Sequence, residues 1–237
     1  MKTLLVLLYI LVAGNLYAQE VPVVQKGNMW VDDIKIDGEI NDWGKSLNAY
    51  NPDLKSWYSI ANNDKYLFLA FKKEEFVNKI FTSNGLQFYI NPGQKESING
   101  ACMIKFPVTV IDKRPVIRED WKEIEVNNIP GIPDSIISIY NQYGIKIGWK
   151  QVGDSPFIFE LRVPLELVGV TAPDSFAYNL CLMGTGQRGR PSVFSSTVKL
   201  LGPDGKELDM SPGQLQQFID RDTVTELWGQ YRLATKP

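Results

Sequence analysis

The chain contains no histidine and only two cysteines in 237 residues. Imidazole is the proton shuttle of Ser/His/Asp and Cys/His triads and a ligand of the common catalytic zinc sites, so those chemistries are excluded. Neither sign of charge is in excess: Lys+Arg 25 stand against Asp+Glu 27, a net charge of −2. That leaves no basic footprint for neutralising phosphates and argues against a nucleic-acid partner. Long apolar runs are lacking too, and none approaches the ~20 residues of a membrane-spanning helix. The apolar run that does occur, Leu4 to Ala13, follows Lys2 and precedes a small-residue cleavage pattern ending at Ala18. This predicts a secretory signal peptide over residues 1–18 and one domain over 19–237, secreted or periplasmic, without stable membrane insertion. Glycosidase chemistry, which needs only carboxylates, survives these exclusions.

What is present is 44% hydrophobic and 11% aromatic residues, with 19 Gly and 14 Pro dispersed along the chain. Period-two alternation bounded by Gly, Pro, Asn and Asp recurs throughout, while helical periodicity is scarce. The pattern predicts an all-β fold: a single antiparallel β-sandwich, jelly-roll-like, with long loops and one or two short helical turns. Strands are expected at 29–36, 55–61, 65–72, 85–91, 101–111, 136–140, 143–149, 156–163, 176–184, 193–200 and 227–233. Asn62, Asn63 and Asp64 mark a hairpin turn, and IISIYNQYGIKIGW predicts a second hairpin around Asn141 to Gly144. Helical turns are expected at Pro164 to Val168 and Ser211 to Phe218. Residues 112–135 form the longest irregular stretch. Cys102 and Cys181 each lie in an apolar strand, where they can pair if the strands are neighbours or remain as buried thiols.

Four segments in order, IKIDGEINDW (34–43), WYSIANNDKYLFLAF (57–71), GLQFYINPG (85–93) and FIFELRVPLELVGV (157–170), resemble the family 9 carbohydrate-binding modules and the wider DOMON-like sandwich group; the closing LWGQYRL is also similar. The match spans about residues 34 to 233. The resemblance implies a sandwich fold and a sugar held between two Trp rings, for which Trp57 and Trp149 are the first candidates. Family members often carry calcium, and Asp32, Asp33 and Asp37 are the oxygen ligands this would implicate.

The alternation sets which side chains meet the core. Leu86, Phe88 and Ile90 are expected inward, with Gln87 and Tyr89 outward; Phe157, Phe159, Leu161 and Val163 inward, with Glu160 and Arg162 outward. Two strands then offer amide, phenol, carboxylate and guanidinium on one face, the donors and acceptors that sugar hydroxyls need beside stacking aromatics. Trp121 and the GTGQRGR loop with Arg188 and Arg190 add further candidates. The expected carbohydrate site is therefore Trp57, Gln87, Tyr89, Trp149, Glu160, Arg162 and Arg188, with no catalytic residue and no required cofactor.

Three other readings compete. A protein-interaction domain without a small ligand needs none of these residues. A haem-binding DOMON-like domain would have to use Met103 with Lys105 or Met183 with Lys199, since ordinary haem ligation uses His. A glycoside hydrolase would need two convergent carboxylates, drawn from Glu160, Glu74, Glu75, Glu96 and Glu123.

Overall fold

The computed structural model describes residues 21–82, 85–108, 121–153, 155–184, 211–214, 219–220 and 223–237. Its strands are β1 (Ala49–Asn51), β2 (Ser56–Asn62), β3 (Tyr66–Lys73), β4 (Leu86–Asn91), β5 (Cys102–Phe106), β6 (Glu123–Asn127), β7 (Ile136–Ser138), β8 (Lys146–Lys150), β9 (Phe157–Pro164), β10 (Ser175–Leu182) and β11 (Thr225–Arg232). They form two antiparallel sheets, one of five strands in the order β1-β2-β3-β9-β8 and one of six in the order β11-β10-β4-β5-β6-β7. The fold is an all-β sandwich, as the alternation predicts. Short helices occur at α1 (Asn78–Thr82), at Asn41–Trp43 and at Leu165–Val168. The last begins directly after Pro164, whose fixed φ suits a helix start.

The facing sides of the two sheets supply the main core. Tyr58, Leu69, Phe71, Phe159 and Leu161 of one sheet meet Phe88, Ile104, Phe106, Tyr178 and Leu180 of the other. Aromatic side chains bury the most area per residue, and here they also touch each other: Phe106 stacks on Phe159 with centroids 5.8 Å apart. The phenols of Tyr58 and Tyr178 meet across the core at 3.0 Å, so two buried hydroxyls satisfy one another.

A second core lies on the outer side of the five-stranded sheet. Ile34, Trp43 and Leu47 pack there against Ala61, Phe68 and Ala70. This explains why β3, reading YLFLAFKK, is buried on both faces. The covering segment touches the sheet as an isolated parallel bridge, Trp30 to Asn62, and otherwise crosses it as turns. The expected strand 29–36 is thus corrected: its apolar residues serve a covering arm instead of a ladder.

Three further expectations change. β7 pairs with β6 and β8 with β9, so 136–149 passes from one sheet to the other and is no hairpin. Its Asn141 side chain donates to the carbonyls of Ser138 and Ile145, closing a turn between layers. The stretch read as irregular contains β6, whose Ile124 and Val126 alternate with charged and polar neighbours. Trp121, a further candidate for the sugar site, lies in the loop before β6 as expected but is buried against Phe81, Phe106 and Trp149. Cys102 and Cys181 are free buried thiols. They lie two strands apart in one sheet, Cys102 among the core residues and Cys181 between the inward Leu180 and Leu182, so they face opposite sides. The expected signal peptide, the strand at 193–200 and part of the 211–218 turn fall outside the described residues.

Candidate functional site

The inward sets expected on β4 and β9 are the observed ones: Phe88 is 1% exposed and Phe159 2%. The face they imply nonetheless divides in two. β4 belongs to the six-stranded sheet and β9 to the five-stranded one, so Gln87 and Tyr89 look out from one side of the sandwich while Glu160 and Arg162 look out from the other. Alternation within a strand carries no information on which sheet the strand joins, and the four residues do not form one site.

Glu160 is a structural anchor. It is fully buried beneath the covering segment, where Oε2 accepts the backbone N–H groups of Asp37 (3.0 Å) and Gly38 (2.8 Å) and Oε1 accepts the Trp43 indole N–H (2.8 Å). Burial raises its pKa, against the lowering pull of the Trp43, Gly38 and Asp37 donors. The neighbouring position on β8 is Gly148, and a Cβ there would stand 2.6 Å from Gly38 N. Gly38 itself has φ +82, and a Cβ on it would come as close to the Trp149 backbone, so two glycines permit the turn to dock on the sheet. The Asp-Gly turn and following Trp of IKIDGEINDW are therefore joined to the Glu of FIFELRV.

The other expected residues also have structural partners. Arg162 lies over the Tyr66 ring at 4.3 Å. Trp57 is half-buried against Tyr50, 5.0 Å between centroids, and packs on the second core. Trp149 faces the main core beside Trp121 and Phe106. Trp57 and Trp149 consequently lie on opposite sides of the five-stranded sheet and do not pair as a sandwich around one ligand. Arg188 lies outside the described residues. Asp37 forms an ion pair with Lys35 at 2.6 Å, whose hydrogen bond holds the Asp37 pKa low, and Asp33 accepts the N–H of Ile34. Among the described residues no three acidic or thiol side chains converge on a metal position.

The polar face that remains is the outer side of the six-stranded sheet. Its register sets two rows across the strands. One runs Glu226, Cys181, Gln87, Lys105, Glu125; the next runs Trp228, Asn179, Tyr89, Met103, Asn127. Gln87, Lys105 and Asn179 are buried, Tyr89, Trp228 and Glu125 half-buried, and Glu226 and Asn127 exposed. Tyr89 Oη donates to Gln87 Oε1 at 2.7 Å, and Asn179 Nδ2 donates to Glu226 Oε2 and to the Leu227 carbonyl, both at 3.2 Å. Lys105 is ion-paired with Glu125. A face of fixed acceptors and donors flanked by two aromatic rings can orient a neutral polar ligand. Glu226 and Glu125 are four strand steps apart, roughly 19 Å, far beyond the 5 to 10 Å of a two-carboxylate glycosidase pair.

Trp228, Asn179, Lys105 and Glu226 are missing from the sequence-based site. The signal for Trp228 was available, since Leu227 and Tyr231 point to the core and place Trp228 on the opposite side of β11. Met103 and Lys105, one of the two ligand pairs of the haem reading, both project outward, with Lys105 committed to Glu125; the other pair includes Lys199, which lies outside the described residues.

No family model matches the chain, and no curated protein matches it. Among solved structures, a carbohydrate binding module of family 9 from Caldicellulosiruptor kristjanssonii, in complex with glucose, is similar with a TM-score of 0.42 and 8% identity, covering 90% of this chain and 97% of that one. The sandwich assignment rests on the strand pairing itself.

Proposed function

We propose that this is a secreted, non-catalytic carbohydrate-binding protein whose ligand lies on the outer face of the six-stranded sheet. The observation that carries the reading is the placement of Tyr89 and Trp228 on that face, each the register partner of Asn179 from opposite sides. Two strand steps put the two ring-bearing positions about 10 Å apart at the backbone, with amide groups between them. Sugars combine apolar C–H faces with hydroxyls that both donate and accept, and this face offers a surface for each. The exposed Glu226 carboxylate and the Lys105–Glu125 pair border the same rows.

The test is affinity electrophoresis of the purified protein through a panel of soluble neutral polysaccharides, with titration of any that retards it. Trp228→Ala and Tyr89→Ala should each weaken binding roughly tenfold, about 1.4 kcal/mol, while Trp57→Ala leaves it unchanged. Absence of retardation by any glycan, or a Trp228 variant that binds like the parent, overturns the assignment.

A further inference from the structure

On the outer side of the five-stranded sheet, beside the covering segment, β9 and β8 set two cations directly opposite one another. Arg162 and Lys146 are register partners, so their side chains leave the same face with Cβ atoms about 5 Å apart. Like charges in that relation destabilise a sheet unless an opposite charge lies with them. The chain supplies none. Among the described residues Lys35, Lys72, Lys79, Lys105 and Lys150 each have a carboxylate at ion-pair distance, while Arg162 and Lys146 have none.

The register shows why. Across β3 the partner of Arg162 is the buried Phe68, and the next outward position along β9 is Pro164, opposite Tyr66. In the other direction stands Glu160, whose oxygens are spent on the N–H groups of Asp37, Gly38 and the Trp43 indole. Asp37, which docks there, is held by Lys35. The guanidinium is fixed all the same. It rests 4.3 Å over the Tyr66 ring, which packs on the second core and meets Phe68 edge-on. Its Nε is enclosed with no acceptor, so the two terminal amino groups are the end of the guanidinium that a ligand meets. Arg162 is half-buried and Lys146 exposed, which leaves the pair open to solvent. A planar guanidinium fork takes two oxygens of a carboxylate or phosphate side by side, and an ammonium adds a mobile point charge.

We infer that Arg162 and Lys146 hold the oxyanion of an acidic ligand, a carboxylate or phosphate group whose oxygens accept from the terminal amino groups of Arg162 on one side and from the Lys146 ammonium on the other. The site lies on the opposite sheet from Tyr89 and Trp228 and does not depend on the sugar face. The test titrates glucuronate, inorganic phosphate and, as the uncharged control, glucose into the ¹⁵N-labelled protein at low ionic strength. Glucuronate or phosphate should move the amides of Tyr66, Lys146 and Arg162 saturably, equally in Trp228→Ala, and less as sodium chloride is added. The tighter of the two identifies the oxyanion. Arg162→Gln should bind roughly tenfold more weakly, as the loss of a charge-assisted hydrogen bond implies. Lys146→Glu, at an exposed position where folding is not at stake, should abolish binding and keeps the test available if the Arg162 variant does not fold. Shifts that stay linear in both anions, equal shifts of those amides by glucose, or undiminished binding in either folded variant overturn the proposal.

Discussion

Removing the Glu160 carboxylate should detach the covering segment from the five-stranded sheet. In Glu160→Ala three donors lose their acceptor together: the N–H groups of Asp37 and Gly38 and the indole of Trp43. Each orphaned donor costs about 1 kcal/mol or more, and the cavity left under Trp43 adds to this. Relief from burying a charge offsets part of it, because burial already raises the Glu160 pKa. The net loss is roughly 3 kcal/mol, which for a domain of this size lowers the melting temperature by about 10 °C. Glu160→Gln keeps one oxygen for the two backbone donors but sets an amide N–H against the Trp43 N–H, for a loss of roughly 1 to 2 kcal/mol. Calorimetry gives the total, and hydrogen exchange at Asp37 and Gly38 locates it. An alanine variant that melts within about 1 °C of the parent, with those amides still protected, refutes the anchor. Glycan binding should persist in Glu160→Gln, since the proposed face lies on the other side of the sandwich. Lost binding with unchanged melting would instead make Glu160 a ligand contact.

Gly148→Ala should destabilise the same junction by about 2 kcal/mol or more, because its Cβ would sit 2.6 to 2.8 Å from backbone atoms of residues 36 to 38; a neutral effect on melting would show that the turn moves freely. Trp57→Ala should cost about 1 to 3 kcal/mol through its contacts with Tyr50 and the second core, and a variant stable as the parent would mark the ring as a surface platform. Lys73 is 1% exposed and burial lowers its pKa from 10.5 to about 8, so between those values the unfolded chain holds a proton that the folded one has released and stability rises with pH, by roughly 2 kcal/mol at pH 9.5. Chemical denaturation from pH 7.5 to 9.5, referenced to Lys73→Met, checks this; no change in the difference between the two proteins refutes it.

The sandwich was legible because its strands alternate so regularly. LQFYIN, FIFELRVP and SFAYNLCL each place every second residue in the main core, as period two requires. Strand partners were less accessible. The turn at Asn62 to Asp64 joins two strands that do pair, and the turn at Asn141 to Gly144 joins two that do not, although the second is flanked by the stronger Ile alternation. Both turns use residues that tolerate tight backbone, and only the tertiary packing of Ile137 under one sheet and Ile145 against the other separates them.

The expected site residues divide between the two sheets for a related reason. Period two says which residues look away from the core, and it is silent on what lies above them. Glu160 and Gln87 have the same sequence pattern, a polar residue between two apolar ones, and both are buried on outward faces. For Glu160 the cover is a segment more than a hundred residues away, with Asp37 and Gly38 donating to it. A carboxylate among aromatics on a strand thus reads alike whether it meets a sugar hydroxyl or the chain's own N–H groups, since both present the same donors. The distinguishing feature is a partner lacking side-chain bulk: Gly148 beside Glu160 and Gly38 above it leave room for backbone and nothing larger. On the other sheet the neighbours of Gln87 are Lys105 and Cys181, and the half-buried Tyr89 and Trp228 flank Asn179 in the next row. Side chains surround that position where backbone fills the first, which is why a ligand is proposed for the six-stranded sheet while the arm covers the five-stranded one.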